Sequence, residues 1–417
     1  MTSPVELSAG VLSRYVHSEA RALGFALVGI APSYPSQQLA FYRRWLADGR
    51  HGEMGYLARP DAVARRADLR ETLATVRSVV VVGHEYLGCA EPVGPPRPDT
   101  GLIARYARGR DYHRVLKGRL LDLLERLEAF SGSPIMGRAY VDTGPILERE
   151  LAARAGLGWF GKNTMLIHPR RGSWFFLGAL LLDLELEPDT PFTADHCGSC
   201  RRCLDACPTG ALLGRDPRGA PVMDATRCIS YLTIEHRGPI PRELRPALEN
   251  RILGCDVCQD VCPFNARFAQ EAGEPGYAAR GPGELPVGVE ARTGGEEMDH
   301  PGTESPSLIA LMRLSWEQWD TFTRGSAIRR AGYAGFKRNV AVALGNWAAP
   351  EAMEALVEAL GDPEPLVRGH AAWALGRVGS GAAGDSLALA LSSEDDPFVR
   401  EELALAELGL KGDGLSD

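Results

Sequence analysis

Eight of the nine cysteines fall between Cys197 and Cys262, and only Cys89 stands apart. Their order is Cys197-x2-Cys200-x2-Cys203-x3-Cys207-Pro208, then Cys228 alone, then Cys255-x2-Cys258-x3-Cys262-Pro263. Thiolates at this spacing wrap a cubane: three come from one tight loop, and the cysteine before proline turns to the other cluster. A symmetric two-cluster protein would place a further cysteine at position 252, which holds Ile252, so Cys228 is the natural substitute. The count then closes on two sets of four. Cys197, Cys200, Cys203 and Cys262 form one, and Cys207, Cys228, Cys255 and Cys258 the other. CxxC pairs also build zinc modules, but two overlapping runs that each end in Cys-Pro favour two 4Fe-4S clusters. A segment this poor in apolar periodicity is held together by its metal more than by a core. Cys89 reads as an unliganded thiol.

The rest of the chain must supply whatever the clusters serve. At 417 residues it exceeds a single core, so several domains are expected. A net charge of −8 argues against a chain that coats nucleic acid but leaves room for a local basic patch. Met1–Gly24 lacks a basic start, a continuous apolar run and a twin-Arg pair. The longest apolar run, near Trp174–Leu182, is too short to cross a bilayer as a helix. A cytoplasmic, membrane-free protein is the expectation, with a monomer as the default.

Residues 1–190 alternate between strand-like and helix-like segments. Phe25–Ile30 and Ser78–Gly83 are β-rich, and Val79–Val82 reads as a buried strand. Asp111 to Phe130 carries Val115, Leu120, Leu123, Leu124 and Leu127 at helical spacing, with Asp111 as N-cap. Ile146–Leu157 suggests another helix, and Trp174–Leu184 a strand. Residues 270–306 are rich in Gly, Glu and Pro and read as a flexible linker or surface insertion. From 307 the pattern is all-helical and repeats: Ala343-Leu344-Gly345 returns as Ala374-Leu375-Gly376 after 31 residues. Units of this kind bury their faces only against each other, as HEAT-type repeats do. The fold class expected is multidomain α+β: an α/β catalytic domain (1–190), a ferredoxin-like two-cluster domain (191–269), the linker (270–306) and a HEAT-like α-solenoid (307–417).

Three motifs in the first domain carry chemistry. Tyr140-Val141-Asp142-Thr143-Gly144-Pro145 places a carboxylate between an apolar pair and a helix. Aspartic proteases use the same Asp-Thr-Gly, but in two copies sharing one site, and this chain has one. Asp142 is read either as a helix cap or as a general acid whose pKa is raised by burial beside a cofactor. Gly156-Leu157-Gly158-Trp159-Phe160-Gly161-Lys162-Asn163 fits neither phosphate-loop spacing; it could let backbone approach a large flat cofactor, or be an ordinary turn. Arg105–His113 is basic with interleaved aromatics, equally consistent with a solvated loop and with binding RNA or cofactor phosphates.

Taken together and in this order, Gly109-x-Asp111-Tyr112-His113, Asp142-Thr143-Gly144, Lys162-Asn163, the asymmetric cysteines and the terminal repeats resemble the epoxyqueuosine reductases. The resemblance covers nearly the whole chain apart from 270–306. It implies a cobalamin-binding catalytic domain, two 4Fe-4S clusters fed by an external low-potential electron donor, and a repeat tail that helps hold tRNA. Asp142 is implied as proton donor to the departing epoxide oxygen, with cobalamin in the cobalt(I) state. Arg65, Asp142, Asn163, Leu166, Ser230 and Asp256 are implied as cobalamin contacts. Ala104 stands where some relatives carry a cysteine near the metal. Arg324, Arg329, Arg330, Lys337 and Arg338 are expected on tRNA phosphates, contacts that position rather than specify. Two other readings share parts of this pattern: a corrinoid reductive dehalogenase acting on a small substrate, and an electron-transfer iron–sulfur protein. The repeats argue against the first, and the large α/β domain against the second.

Overall fold

A computed structural model describes residues 7–88, 97–284, 301–379 and 381–413. Cys89 and residues 285–300 of the expected linker lie outside them. The chain divides into two compact units, each built from discontinuous segments: Met1–Cys89, Asp111–Thr226 and Val257–Tyr277 in one, Ala90–Arg110, Arg227–Asp256 and Ala278–Asp417 in the other.

The first unit is organised by a four-stranded sheet whose strands are Leu27–Pro32, Ser78–Glu85, Phe175–Leu182 and Gly137–Tyr140, in that spatial order. Every pairing is antiparallel. The apolar run Val79–Val82 is fully buried because both faces of the sheet are covered. Val79 and Val81 pack with Leu151 and Ala152 of the helix Glu148–Arg154 and with Ala155 just after it. On the other face, Gly178 leaves room for Leu116 and Leu120 of the long helix Tyr112–Ser131 to close over Val82. That helix begins where the sequence suggests, with Asp111 accepting from the His113 amide at 3.0 Å. The expected helix over Ile146–Leu157 is shorter, Glu148–Arg154.

The second unit stacks helices. Tyr333–Trp347 packs on Pro365–Val378, which packs on Pro397–Asp413. The recurring glycine explains the close approach. A Cβ on Gly345 would lie 2.9 Å from Ala374 Cα, and one on Gly376 would lie 3.0 Å from Ala406 Cα. A buried ion pair closes the stack: Arg245 donates to both Glu402 oxygens, at 2.7 and 3.0 Å, and its side chain is 1 % exposed.

The described flanks of 270–306, the expected flexible linker or surface insertion, are anchored by single side chains. In the first unit the Tyr277 hydroxyl lies 3.0 Å from His84 Nδ1, and both residues are buried. In the second, Arg280 donates to the Phe322 carbonyl at 3.0 Å and Thr303 to the Arg108 carbonyl at 2.7 Å. An average over a Gly- and Glu-rich stretch hides such single anchoring side chains. Among the described residues no helix is long and apolar enough to cross a membrane.

Candidate active site

Asp142 follows the edge strand Gly137–Tyr140 and adopts φ 54°, a left-handed conformation that costs a non-glycine residue energy. Its amide donates to Glu148 Oε1 at 2.6 Å, which fixes the turn. The carboxylate receives the Tyr112 hydroxyl at 3.0 Å. His113 Nε2 stands 3.4 Å from the same oxygen, an ion-pair distance without an aligned hydrogen bond. On its far side His113 Nδ1 meets Asp111 Oδ1 at 2.7 Å. Tyr112 is placed from behind by stacking on Phe176 of the sheet, with centroids 4.1 Å apart and ring planes nearly parallel. The imidazole thus bridges two carboxylates.

Asp142 keeps 63 % of its side chain open, and Arg149 is also exposed, yet protein surrounds both densely. Burial among those neighbours pushes the Asp142 carboxyl up, but the facing His113 charge, with the Tyr112 hydroxyl and the Arg149 charge, outweighs it and holds the group below its ordinary value. The expectation of a raised pKa is therefore corrected. The elevated groups are its partners. Burial would lower His113, but Asp111 and Asp142 together raise it to about 9. Burial and the Asp142 charge push Glu148 up to about 8.

The glycine-rich loop turns out to be a hairpin, Trp159–Phe160 paired antiparallel with Leu166–Ile167. Asn163 is buried; its amide donates to the Cys258 carbonyl at 3.2 Å and accepts from Met165 N at 3.2 Å. Thr164 has φ 65° and is 8 % exposed, with a hydroxyl that has no partner, and its carbonyl accepts from Arg149. Lys162 donates to the Gly198 and Cys200 carbonyls at 2.6 and 2.9 Å, pinning the hairpin to the first cysteine loop.

Cys197, Cys200, Cys203 and Cys262 all belong to the first unit and are unpaired thiols. Burial, with the charges of Cys197, Cys200 and Cys262, pushes the Cys203 thiol up to about 11, so the four are electrostatic neighbours. Four such sulfurs cannot ionise together without a cationic centre. No three His, Cys, Asp or Glu side chains among the described residues close on one point. Of the second set, Cys207 and Cys258 belong to the first unit and Cys228 and Cys255 to the second.

Comparison with known proteins bears on all of this. Residues 66–143 match the family described as epoxyqueuosine reductase QueG, residues 196–265 the 4Fe-4S double cluster binding domain, and residues 321–406 HEAT repeats. The epoxyqueuosine reductase of Pseudomonas aeruginosa is 40 % identical over 373 residues, covering 88 % of this chain and 95 % of its own. The chain belongs to the epoxyqueuosine reductase family. The Escherichia coli member is 39 % identical over 90 % of this chain and 91 % of its own. A crystal structure of an epoxyqueuosine reductase with an epoxyqueuosine-modified tRNA-Tyr stem loop superposes with a TM-score of 0.82 at 29 % identity, covering 96 % of this chain and 99 % of that one. The Bacillus subtilis reductase, with its catalytic aspartate loop swung out of the active site, gives 0.80 at 28 % identity over the same shares.

The residues expected at ligands sit in different settings. Leu166 is 3 % exposed and packs its side chain in the core beside Leu151 and Leu157, so it offers a cofactor only backbone. Asn163 spends its amide inside the protein, as described above. Arg65 is exposed on the last turn of the helix Pro60–Ala67. In the second unit Ser230 lies on Ile229–Ile234, half-buried, and Asp256 accepts from the Arg105 amide at 2.9 Å and guanidinium at 3.2 Å. Arg105 and Arg108 of the basic stretch bond to Asp256 and to the Ile103 carbonyl.

The phosphate-contact expectation is corrected for two of five residues. Arg338 is fully buried and donates to the Leu232, His236 and Gly238 carbonyls. Lys337 is buried against Asp362 at 2.8 Å. Their basic charge closes a core rather than facing solvent. Arg324 and Arg329 share Asp320, and Arg330 pairs with Glu235, all with part of the side chain open. Sequence reasoning missed the role of His113, Tyr112 and Glu148 as partners of Asp142. A separation of 30 residues between Tyr112 and Asp142 leaves no spacing signal.

Proposed function

We propose that this chain reduces epoxyqueuosine to queuosine at the wobble position of the tRNA anticodon, with cobalamin as the reacting cofactor and two 4Fe-4S clusters as its electron supply. The observation that carries the reading at the level of chemistry is the Asp111–His113–Asp142 chain with its outer carboxylate open, which gives a reductive ring opening its proton source. The unpartnered, buried Thr164 hydroxyl suits a large cofactor fringed with amides. When bound, cobalamin supplies a strongly reducing, nucleophilic metal that no side chain can match.

The protein's own work is positioning, proton delivery and exclusion of water. Tyr112, held by Phe176, orients the Asp142 carboxylate. His113 stores a proton beside it, and Asp111 fixes the imidazole so that Nε2 faces Asp142. Asp142 passes that proton to the oxygen leaving the epoxide. Arg65, Asp142, Asn163, Leu166, Ser230 and Asp256 are the residues proposed to contact cobalamin, and Arg324, Arg329 and Arg330 those proposed on tRNA phosphates. Cys197, Cys200, Cys203 and Cys262 would hold the first cluster, and Cys207, Cys228, Cys255 and Cys258 the second. The spans 1–190, 191–269 and 307–417 act as cofactor-binding, electron-relay and tRNA-holding parts. The enzyme works as a cytoplasmic monomer with an external low-potential donor.

The test is anaerobic turnover. Reconstituted protein, a low-potential reductant and tRNA bearing epoxyqueuosine are incubated with and without cobalamin, and digested nucleosides are read by mass spectrometry. Loss of one oxygen only with cobalamin supports the reading. No conversion with intact clusters and bound cobalamin refutes the substrate.

A further inference from the structure

We infer that the indole N–H of Trp159 hydrogen-bonds a ligand sulfur of the first cluster and raises that cluster's reduction potential above the value its apolar surroundings alone would impose. The inference rests on the proposed ligand set Cys197, Cys200, Cys203 and Cys262. Trp159 Nε1 lies 3.4 Å from Cys197 Sγ, within reach of an N–H···S bond. The indole is 4 % exposed, and its nitrogen can only donate, so once buried it needs an acceptor.

Two further observations make the contact a built one. The rings of Phe264, His196 and Phe192 surround the indole at 4.8, 5.0 and 5.7 Å between centroids, and Trp159, Ile167 and Cys262 share one apolar cluster with Cys197. The hairpin that carries Trp159 is locked to the cysteine loop by Lys162, through the Gly198 and Cys200 carbonyls. The donor therefore cannot drift from the sulfur without breaking that anchor.

The two effects of this wall oppose each other. Reduction adds an electron to a cluster that four thiolates already make anionic. An apolar aromatic shell disfavours the extra charge and lowers the potential, whereas a donated N–H spreads it and raises the potential. Trp159 acts in both senses at once, so a substitution must separate them. It is a positioning and tuning residue, since it acts on the cluster through Cys197.

The experiment uses the full chain, reconstituted anaerobically, with iron content measured and both clusters titrated by EPR against potential. Trp159→Phe keeps an aromatic wall and removes the N–H. One of the two redox waves should move to lower potential while the other stays. Phe192→Ala opens the shell to water and should move the same wave the opposite way. Replacing Trp159 with its benzothienyl isostere, which has the indole's size without the N–H, should reproduce the downward shift even if the phenylalanine variant loses its fold. At full loading, about eight iron atoms per chain, waves that stay in place or rise in both Trp159 variants overturn the inference. The ligand set itself is tested apart: Cys197→Ala retaining both clusters at full iron would overturn the assignment on which Trp159 acts.

Discussion

Replacing His113 with asparagine should remove the proton store of the site while leaving the turn around Asp142 in place. Asp142 is held below its ordinary carboxylate value by His113 and Tyr112. Even at an ordinary value near 3.9, about one molecule in 4,000 would carry the proton at pH ~7.5. His113, raised to about 9, would be protonated about thirty times more often than not at that pH. Direct donation from a standing population of protonated Asp142 is thus more than a thousandfold poorer than relay from His113. We expect His113→Asn to slow the reductive step by about 10²–10⁴-fold near neutral pH, the usual worth of a positioned acid. The wild-type rate should fall as pH rises through about 9, where His113 loses its proton. In the variant that alkaline limb should vanish, and the remaining rate should rise toward acid pH, because Asp142 loses the partner that depresses it. Anaerobic single-turnover reactions with reduced, cobalamin-loaded enzyme, quenched across the pH range and read as queuosine formed, measure both quantities. A wild-type rate that is flat through pH ~9, together with a variant within about threefold of wild type, would refute the relay.

Three further outcomes follow from the same geometry. His113 has a folded pKa above its ordinary value, so its stabilising effect is complete below about pH 6.5 and is lost as pH rises through about 9; urea midpoints of wild type and His113→Asn should converge over that window and stay apart below it. Glu402→Gln strands the Arg245 charge, which is 1 % exposed, and should destabilise the repeat-containing unit by about 3–5 kcal/mol, read as a lower denaturant midpoint by circular dichroism. Arg330→Ala should weaken tRNA binding in proportion across sequences and reduce the salt dependence of log affinity by about one unit, measured by fluorescence anisotropy; an unchanged slope would remove Arg330 from the phosphate contacts.

The fold was most legible where one local rule decided it. Val79–Val82 reads as a buried strand because four consecutive apolar residues must be covered on both sides, and they are. Asp111 reads as an N-cap because its side chain needs only the amide two residues on. The repeat was visible as a 31-residue return of Ala-Leu-Gly, and the glycines sit at the helix–helix contacts. What escaped was set by contacts between distant segments. The Gly-, Glu- and Pro-rich composition of 270–306 suggested a flexible linker or surface insertion and gave no sign of Tyr277 and Thr303, which each anchor a described flank through one hydroxyl.

The site divides along the same line, and the division explains why charge was the least reliable guide. Asp142 was found because a motif marks it, but the direction of its pKa was not legible. Burial alone would raise it; two residues some thirty positions earlier reverse the sign by placing a donor and a cation on the carboxylate. Lys337 and Arg338 failed for the converse reason. They lie beside Arg330 in sequence, and nothing in their identity says which lysine or arginine on a helix faces in. The register of the helix Tyr333–Trp347 does, since Phe336, Lys337, Arg338, Asn339 and Val340 are all buried. A buried helix carrying Arg and Asn needs acceptors, and Arg338 and Asn339 find them in the Leu232, Thr233 and Ile252 carbonyls. Those carbonyls flank Cys228 and Cys255 in sequence, so a charge expected to meet tRNA instead braces the backbone that carries two cysteines of the second set.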